Sequence, residues 1–412
     1  MTKIPPSRAY AVLGFLFAAN LLNYVDRQVL YAVLPLVKVD LMLTDTQLGS
    51  LASAFMLVYM TAAPLIALFA DRYGRRLWIG AGLLAWSGAT FLTGLSHGFT
   101  DLFFSRSAVG IGESSYGSIS PSFIAEHFPD SARARVLSIF SMAIPVGSAL
   151  GYVFGGFMGH HFGWRAAFFW AGGLGIPMGV IALFLKEPRA DEPNRERLRP
   201  TAAHYKALFK NKSFVLDTMA SAWLTFTLGG LAVWMPTFFN RRWDLDVAKA
   251  GLYFGGVTVL GGTVGSLAGG WWADRLLKKT PNAYFLVAAT GLLASLPFCF
   301  LTIFSRSLGW SLLFLGLAES LIFLNSGPLT AIVTTVTPLS VRNMGFAINI
   351  FFMHALGDAI SPLLIGYVSD RAGLLTALSV AVCFLALGGL SCIWATRFYE
   401  ADVLRAQEPS SN

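Results

Sequence analysis

Charge is scarce in this chain. Of its 412 residues only 13% are Asp, Glu, Lys or Arg, while 55% are hydrophobic, and the mean hydropathy is +0.62. A soluble domain carries about 25% charged residues, so the deficit argues against a water-soluble protein and for one that buries its surface in lipid, where an ionised side chain costs roughly 3 kcal/mol or more. Cysteine is as sparse. Cys299, Cys383 and Cys392 all fall in apolar segments, without the spacing of a disulfide framework or a metal site, and read as small packing residues. An enzyme would need a catalytic constellation such as a nucleophile with a positioned base or a metal cluster, and there is no His-rich or acidic metal motif and no Walker sequence. Those absences point away from an enzyme, an ATP-driven pump and any bound metal or cofactor. The net charge of +8 is spread over short loops rather than one patch, which removes nucleic acid as a partner. A cleavable signal peptide is not expected either, because the apolar run after Arg8 is too long.

Long apolar runs are abundant. Crossing the hydrocarbon core takes about 20 residues of helix, and twelve stretches qualify: 9–37, 47–70, 77–96, 101–124, 136–159, 164–185, 213–240, 248–273, 282–304, 309–334, 344–368 and 373–397. The expectation is an all-α membrane protein with an N-terminal six-helix bundle (1–185), a charged linker (186–212), a C-terminal six-helix bundle (213–397) and a tail (398–412). If the even-numbered connections and both termini share one side, 21 Lys and Arg fall there against 7 on the other. Basic residues accumulate on the cytoplasmic side, which predicts cytoplasmic termini and linker. Without organellar signals, this fits a bacterial inner (plasma) membrane.

The two bundles are related by an internal repeat. Asp71-Arg72 after span two matches Asp274-Arg275 after span eight, and Glu113, Pro121, Pro129 and Arg133 of the fourth span match Glu319, Pro328, Pro338 and Arg342 of the tenth. The offsets are 203, 206, 207, 209 and 209 residues. Two parallel six-helix repeats with a binding site near the midplane describe a secondary transporter.

The segment Ala70-Asp71-Arg72-Tyr73-Gly74-Arg75-Arg76 resembles the loop signature of the major facilitator superfamily, with Ala67 in place of the usual leading Gly. The second copy keeps that Gly as Gly270 but has Leu277 where the later one belongs. As a cytoplasmic gate, Asp71, Arg72, Arg75, Asp274 and Arg275 can cap helix ends and bridge to a neighbouring helix; orientation by positive charge alone is the alternative. A narrower resemblance lies in Asn23-Tyr24-Val25-Asp26-Arg27, in the run from Arg106 to Gly117, in Leu137-Ser138-Ile139-Phe140 and in the run from Ala143 to Tyr152. Together these are similar to the Spinster branch, whose animal members export sphingosine-1-phosphate and lysophospholipids. The match is strongest over spans one to five.

The resemblance implies a cavity lined by spans one, four, seven and ten. On span one Asn20, Asn23 and Arg27 lie within about 60° of one another, with Asp26 at the edge of the stripe. On span four Arg106 and Glu113 share a face about 10 Å apart along the axis, with Gly110, Gly117 and Ser120 completing it. Asp26 and Glu113 are expected to carry protons, and Arg27 and Arg106 to alternate between those carboxylates and an anionic head group, since a guanidinium donates paired hydrogen bonds and stays charged. A static ion-pair network is the competing reading. Asn23, Tyr24, Tyr116, Phe323 and Thr330 join the expected substrate-binding set.

The second half is more apolar. Span seven offers Gly229, Gly230 and Leu231 at the place matching Asp26, with Thr225, Thr227 and Trp234 nearby, and span ten offers Glu319, Phe323, Ser326 and Thr330 on one stripe. Glu319 reads equally as a third proton-coupling site or a packing contact. A cavity charged on one wall and apolar on the other suits an amphipathic anion such as a lysophospholipid or a sphingosine-1-phosphate-like molecule. The expected activity is alternating-access secondary transport, coupled to protons through their gradient, by a monomer. Proton-coupled export of drugs or other organic anions is the alternative, and a membrane sensor on a transporter scaffold stands behind both. The glycines of spans five and eight read as close helix packing, with Pro145 as a bend, and His354 with Asp358 as a packing contact or a proton relay.

Overall fold

The computed structural model describes residues 6–186, 206, 208–338 and 341–407, and no strand occurs among them. The helices are α1 (Pro6–Leu41), α2 (Asp45–Tyr73), α3 (Arg75–Thr93), α4 (Phe99–Glu126), α5 (Asp130–Ser141), α6 (Ala143–Phe162), α7 (Trp164–Ala182) and α8 (Lys212–Trp243). They continue as α9 (Val247–Leu277), α10 (Ala283–Phe304), α11 (Leu308–Phe323), α12 (Pro328–Val336), α13 (Arg342–Leu356), α14 (Ser361–Ala372), α15 (Leu374–Ala395) and α16 (Tyr399–Gln407). Helix dominates because lipid offers no partner for a backbone N–H or C=O, so each segment must satisfy its own.

Among the described residues, ten helical stretches are long and apolar enough to cross a membrane. The other two expected positions, 77–96 and 101–124, are held by α3 and α4. At 1.5 Å per residue the 19 residues of α3 span about 28 Å, close to the hydrocarbon thickness, and α4 carries Asp101, Arg106 and Glu113 within its 28 residues. Three expected spans are broken. Span five divides into α5 and α6 at Met142, three residues before Pro145, where the ring removes an N–H and crowds the preceding turn. Span ten divides at 324–327, just before Pro328, and span eleven at 357–360. The break in span ten interrupts the single stripe expected from Glu319 through Phe323 and Ser326 to Thr330, because Ser326 stands within the interruption and Thr330 beyond it.

The internal repeat is visible in the backbone. Among the described residues, Met42 and Asp244 are the non-glycine residues with positive φ, both at 51°, and they stand 202 residues apart before α2 and α9. Thr44 then caps α2, its hydroxyl accepting from the Gln47 N–H at 3.2 Å, and Asp246 caps α9 in the same way, accepting from the Lys249 N–H at 2.8 Å. Slight burial opposes ionisation of Asp246, but that N–H and the Lys249 ammonium outweigh it and hold the carboxyl below its usual range. Gly163 and Gly373, both at φ 83°, make the turns into α7 and α15, 210 residues apart. A side chain in that left-handed region is strained.

The described residues form two compact units. In one, residues of the first half pack with Ala232–Gly256 and Pro362–Asp370; the other is built chiefly from Val257–Ser361. Glycine sets the helix spacing inside each. In the first unit a Cβ at Gly147, Gly151 or Gly155 of α6 would lie 2.7, 2.7 and 2.9 Å from Leu21 O, Val25 O and Val29 Cα of α1. In the second, Gly265 and Gly269 of α9 meet the carbonyls of Ser320 and Leu324 at the end of α11. Backbones approach this closely only where side chains are missing.

At one end of the first unit a buried carboxylate gathers distant segments. Asp45 accepts from Lys38 at 2.5 Å, from both terminal nitrogens of Arg241 at 2.7 Å, and from the Ser369 hydroxyl at 2.5 Å. Asp370 in turn accepts the Asp45 and Thr46 N–H groups at 2.8 Å, satisfying open donors at the start of α2.

The glycine spacing is testable on neighbouring helices. A methyl at Gly112 of α4 would strike the Trp86 backbone N and lie 2.7 Å from the Gly82 carbonyl of α3, whereas one at Gly88 meets nothing within 4 Å. Gly112→Ala should lower stability by about 1–3 kcal/mol, and Gly88→Ala should be neutral or stabilising by about 0.5 kcal/mol. Thermal unfolding of both variants in detergent checks the contrast.

Candidate functional site

Four charges meet inside the first unit, two from α1 and two from α4. Asp26 and Arg27 are adjacent on α1, and Arg106 and Glu113 are two turns apart on α4. They pair crosswise. The Arg27 Nε donates to Glu113 Oε2 at 2.6 Å, and Arg106 NH1 donates to Asp26 Oδ1 at 3.2 Å. Asp26 and Arg106 are each 1% exposed, Glu113 is fully buried, and the Arg27 side chain keeps 14% of its surface open. Each charge thus offsets one of the opposite sign, which burial demands, because a lone ion in this setting would neutralise rather than stay charged.

The surroundings hold the four in place. Thr90 of α3 donates its hydroxyl to the second oxygen of Asp26. The Arg27 guanidinium lies 5.0, 5.1 and 4.9 Å from the ring centres of Tyr24, Phe55 and Tyr59, and Arg106 lies 5.7 Å from Phe55. A cation over an aromatic face gains roughly 0.5–2 kcal/mol depending on desolvation. Gly110 lets α4 close on α2, since a Cβ there would lie 2.6 Å from the Phe55 carbonyl, and Gly117 faces the Tyr59 hydroxyl. Within and beside the cluster, Arg106 Nε, Glu113 Oε1 and Asn23 Nδ2 are among the buried polar atoms without a hydrogen-bond partner among the described residues. A buried unsatisfied group needs a reason, such as an ordered water, local strain or a change of partner.

Comparison with known proteins gives the chain its family. The model of the Major Facilitator Superfamily matches residues 16–362. The human protein spinster homolog 1 is 35% identical, the alignment covering 99% of this chain and 84% of the relative. The zebrafish sphingosine-1-phosphate transporter SPNS2 is 33% identical over 91% of this chain and 79% of its own length. The chain belongs to the major facilitator superfamily and, within it, to the Spinster family. Among solved structures, a bacterial homologue of the human lysosomal transporter Spinster, in an inward-facing and unoccupied conformation, aligns with a TM-score of 0.87 at 21% identity over 97% of this chain and 99% of that one. A D-xylose–proton symporter aligns at 0.72 and 18% identity over 94% and 97%. This Spinster-family protein is therefore a multi-pass membrane transporter of small molecules rather than an enzyme, and its fold is that of the superfamily.

Within the transporter the other expected site residues are distributed unevenly. Tyr116 is buried beside Trp86 and donates its hydroxyl to the Leu16 carbonyl, which ties α4 to α1. Asn20 joins α1 to α5 through the Phe140 carbonyl at 3.1 Å. In the second unit Glu319 is buried, accepts from the Thr258 hydroxyl at 3.0 Å, and leaves Oε2 without a partner among the described residues. Phe323 packs on Gly262 and Gly265 of α9. Thr330 is exposed, its hydroxyl turned back to the Ser326 carbonyl at 3.1 Å. The side chains of Asp71 and Arg72 lie outside the described residues. Arg75 makes a two-pronged pair with Glu126 of α4 at 2.5 and 2.7 Å, and Arg275 lies over the Trp271 ring at 3.9 Å. Asp274 has no hydrogen bond or ion pair among the described residues. His354 and Asp358 are hydrogen-bonded at 2.9 Å, and Gly229 of α8 abuts Asp358.

Several residues that shape these sites are missing from the sequence reading. Thr90, Phe55 and Tyr59 come from α3 and α2 and have no local signal. Glu126 is an ordinary helix-end acid until α3 is placed beside it. Asp217 is different, since a lone carboxylate in the apolar run of span seven is the same signal that marks Asp26.

The cross-pairing makes a quantitative demand. Arg106→Gln leaves the Asp26 carboxylate buried without its cation and should cost about 3–5 kcal/mol. Adding Asp26→Asn should recover a large part of that loss. A double-mutant cycle on thermal unfolding in detergent reads the coupling, which vanishes if the pair contributes nothing.

Proposed function

We propose that this Spinster-family transporter is a proton-coupled secondary carrier for an amphipathic anion, of the lysophospholipid or sphingosine-1-phosphate kind. It works by alternating access, as a monomer in the inner membrane with both termini cytoplasmic, and is driven by the proton gradient. The observation that carries this reading is the Arg27–Glu113 pair, in which a fully buried carboxylate holds a guanidinium that remains partly open. A proton arriving at Glu113 neutralises the carboxylate and weakens its hold on Arg27. The guanidinium stays charged and, framed by Tyr24, Phe55 and Tyr59, is free to donate to a phosphate or other anionic head group. Release of that proton restores the pair and expels the anion. Arg106 and Asp26, buried more deeply, supply the second exchange of the same kind. The zebrafish relative named for sphingosine-1-phosphate transport supports the class of substrate.

The sign of the pH dependence follows. Protonation frees Arg27, so anion binding strengthens as pH falls and weakens as pH rises. Glu113→Gln removes one of the two titrating groups and should bind a labelled lysophospholipid with a weaker dependence on pH than the wild type. In liposomes the wild type should show uptake that rises with an imposed pH gradient, and the variant should lose the gradient-driven part. Gradient-independent uptake by the wild type would instead indicate a facilitator. Absence of lipid uptake by correctly inserted protein would favour the second reading, proton-coupled export of drugs or other organic anions.

A further inference from the structure

The second unit contains a buried carboxylate that the ion-pair mechanism does not use. Asp217 lies five residues into α8 and is fully buried. One oxygen accepts from the Asn349 amide of α13 at 3.2 Å; the other, Oδ1, has no partner among the described residues. Asn349 divides its amide between Asp217 and the Thr218 hydroxyl, the latter at 3.0 Å. No Lys, Arg or His among the described residues pairs with Asp217. Asp26, by contrast, has a guanidinium on one oxygen and a hydroxyl on the other.

The elements around Asp217 add no compensating charge. α15 contributes Cys392 and α16 contributes Tyr399, both within electrostatic reach. Asp402 of α16 is committed to the Ser213 N–H at 2.9 Å and faces Arg405 at 3.3 Å. Lys212, on the same helix as Asp217, rests over the Phe398 ring at 4.5 Å, and Arg342 stands seven residues before Asn349 on α13. Tyr399 is itself buried, with its hydroxyl 2.9 Å from that of Thr335, and burial raises its phenol above the ordinary value. An ionised Asp217 would have one shared amide donor and no cation. A neutral acid would at most leave one O–H without an acceptor, which is the smaller penalty.

We propose that Asp217 is a proton-binding site of the second unit, occupied in this conformation and released when α16 lifts from the start of α8. The short C-terminal helix is what closes the site: Asp402 caps α8 one turn before Asp217, and Tyr399 seals against α12. Lifting α16 admits water to the carboxyl and favours its ionised form. This site is independent of the Glu113 exchange, and its test needs no transport.

Infrared spectroscopy of the whole protein in lipid decides the protonation state. At neutral pH, wild type minus Asp217→Asn should contain the C=O stretch of a protonated carboxyl, and in Asp217→Glu that band should shift but persist. A difference containing only carboxylate stretches would overturn the proposal. The Glu variant answers the question if the Asn variant does not fold. Asp402→Ala, which removes the cap that holds α16, should weaken the proton affinity of Asp217 about tenfold, one unit on the pH axis. An unchanged titration in that variant would remove α16 from the account.

Discussion

A charge placed in the hydrocarbon must meet its opposite or give up its ionisation, and the first unit is arranged around that requirement. Asp26 and Arg27 on α1 cannot satisfy each other and stay useful, because adjacent residues on a helix point about 100° apart. Their partners are Arg106 and Glu113 on α4, two turns apart, so the pairs cross between helices. The close packing of α4 on α2 and α3 through Gly110, Gly112 and Gly117 follows from the same need. Larger residues there would push α4 outward and lengthen contacts whose strength depends on short distances in a low-dielectric medium.

The second unit answers the requirement differently. Glu319 and Asp217 are as deeply buried as Asp26, yet their partners are a hydroxyl and an amide. The two halves keep a common backbone plan, down to the left-handed residues at Met42 and Asp244 and the turns at Gly163 and Gly373. Their chemistry has diverged. Backbone turns and helix caps are demanded by chain geometry in either half, whereas the polar side chains are free to differ wherever another way of neutralising a buried group is available.

Asp45 shows what the requirement looks like at a helix end. Its carboxylate draws in Lys38, Arg241 and Ser369, residues from three helices, while Asp370 occupies the open N–H groups of the same turn. These contacts join positions up to 325 residues apart. No local pattern announces them: a Thr-Asp at the start of a helix reads only as a cap, and the capping does occur through Thr44.

The sequence by itself determined the membrane class, the helical character of the apolar runs, the repeat, the family, and the candidacy of Asp26, Arg27, Arg106 and Glu113. All of these rest on composition or on spacing along one chain, and a charge inside an apolar run is conspicuous without a structure. The bend near Pro145 and the glycine packing of α6 and α9 were legible for the same reason, since a missing N–H or a missing side chain acts locally. Only the tertiary structure decided which carboxylate each guanidinium holds, that Thr90, Phe55 and Tyr59 complete the cluster, and that the span-ten stripe is interrupted before Pro328. It also decided that Asp217 has no cation paired with it among the described residues. Partners 80 or 86 residues apart are chosen by how helices pack, and helix packing depends on the summed contacts of whole faces, which no single spacing records.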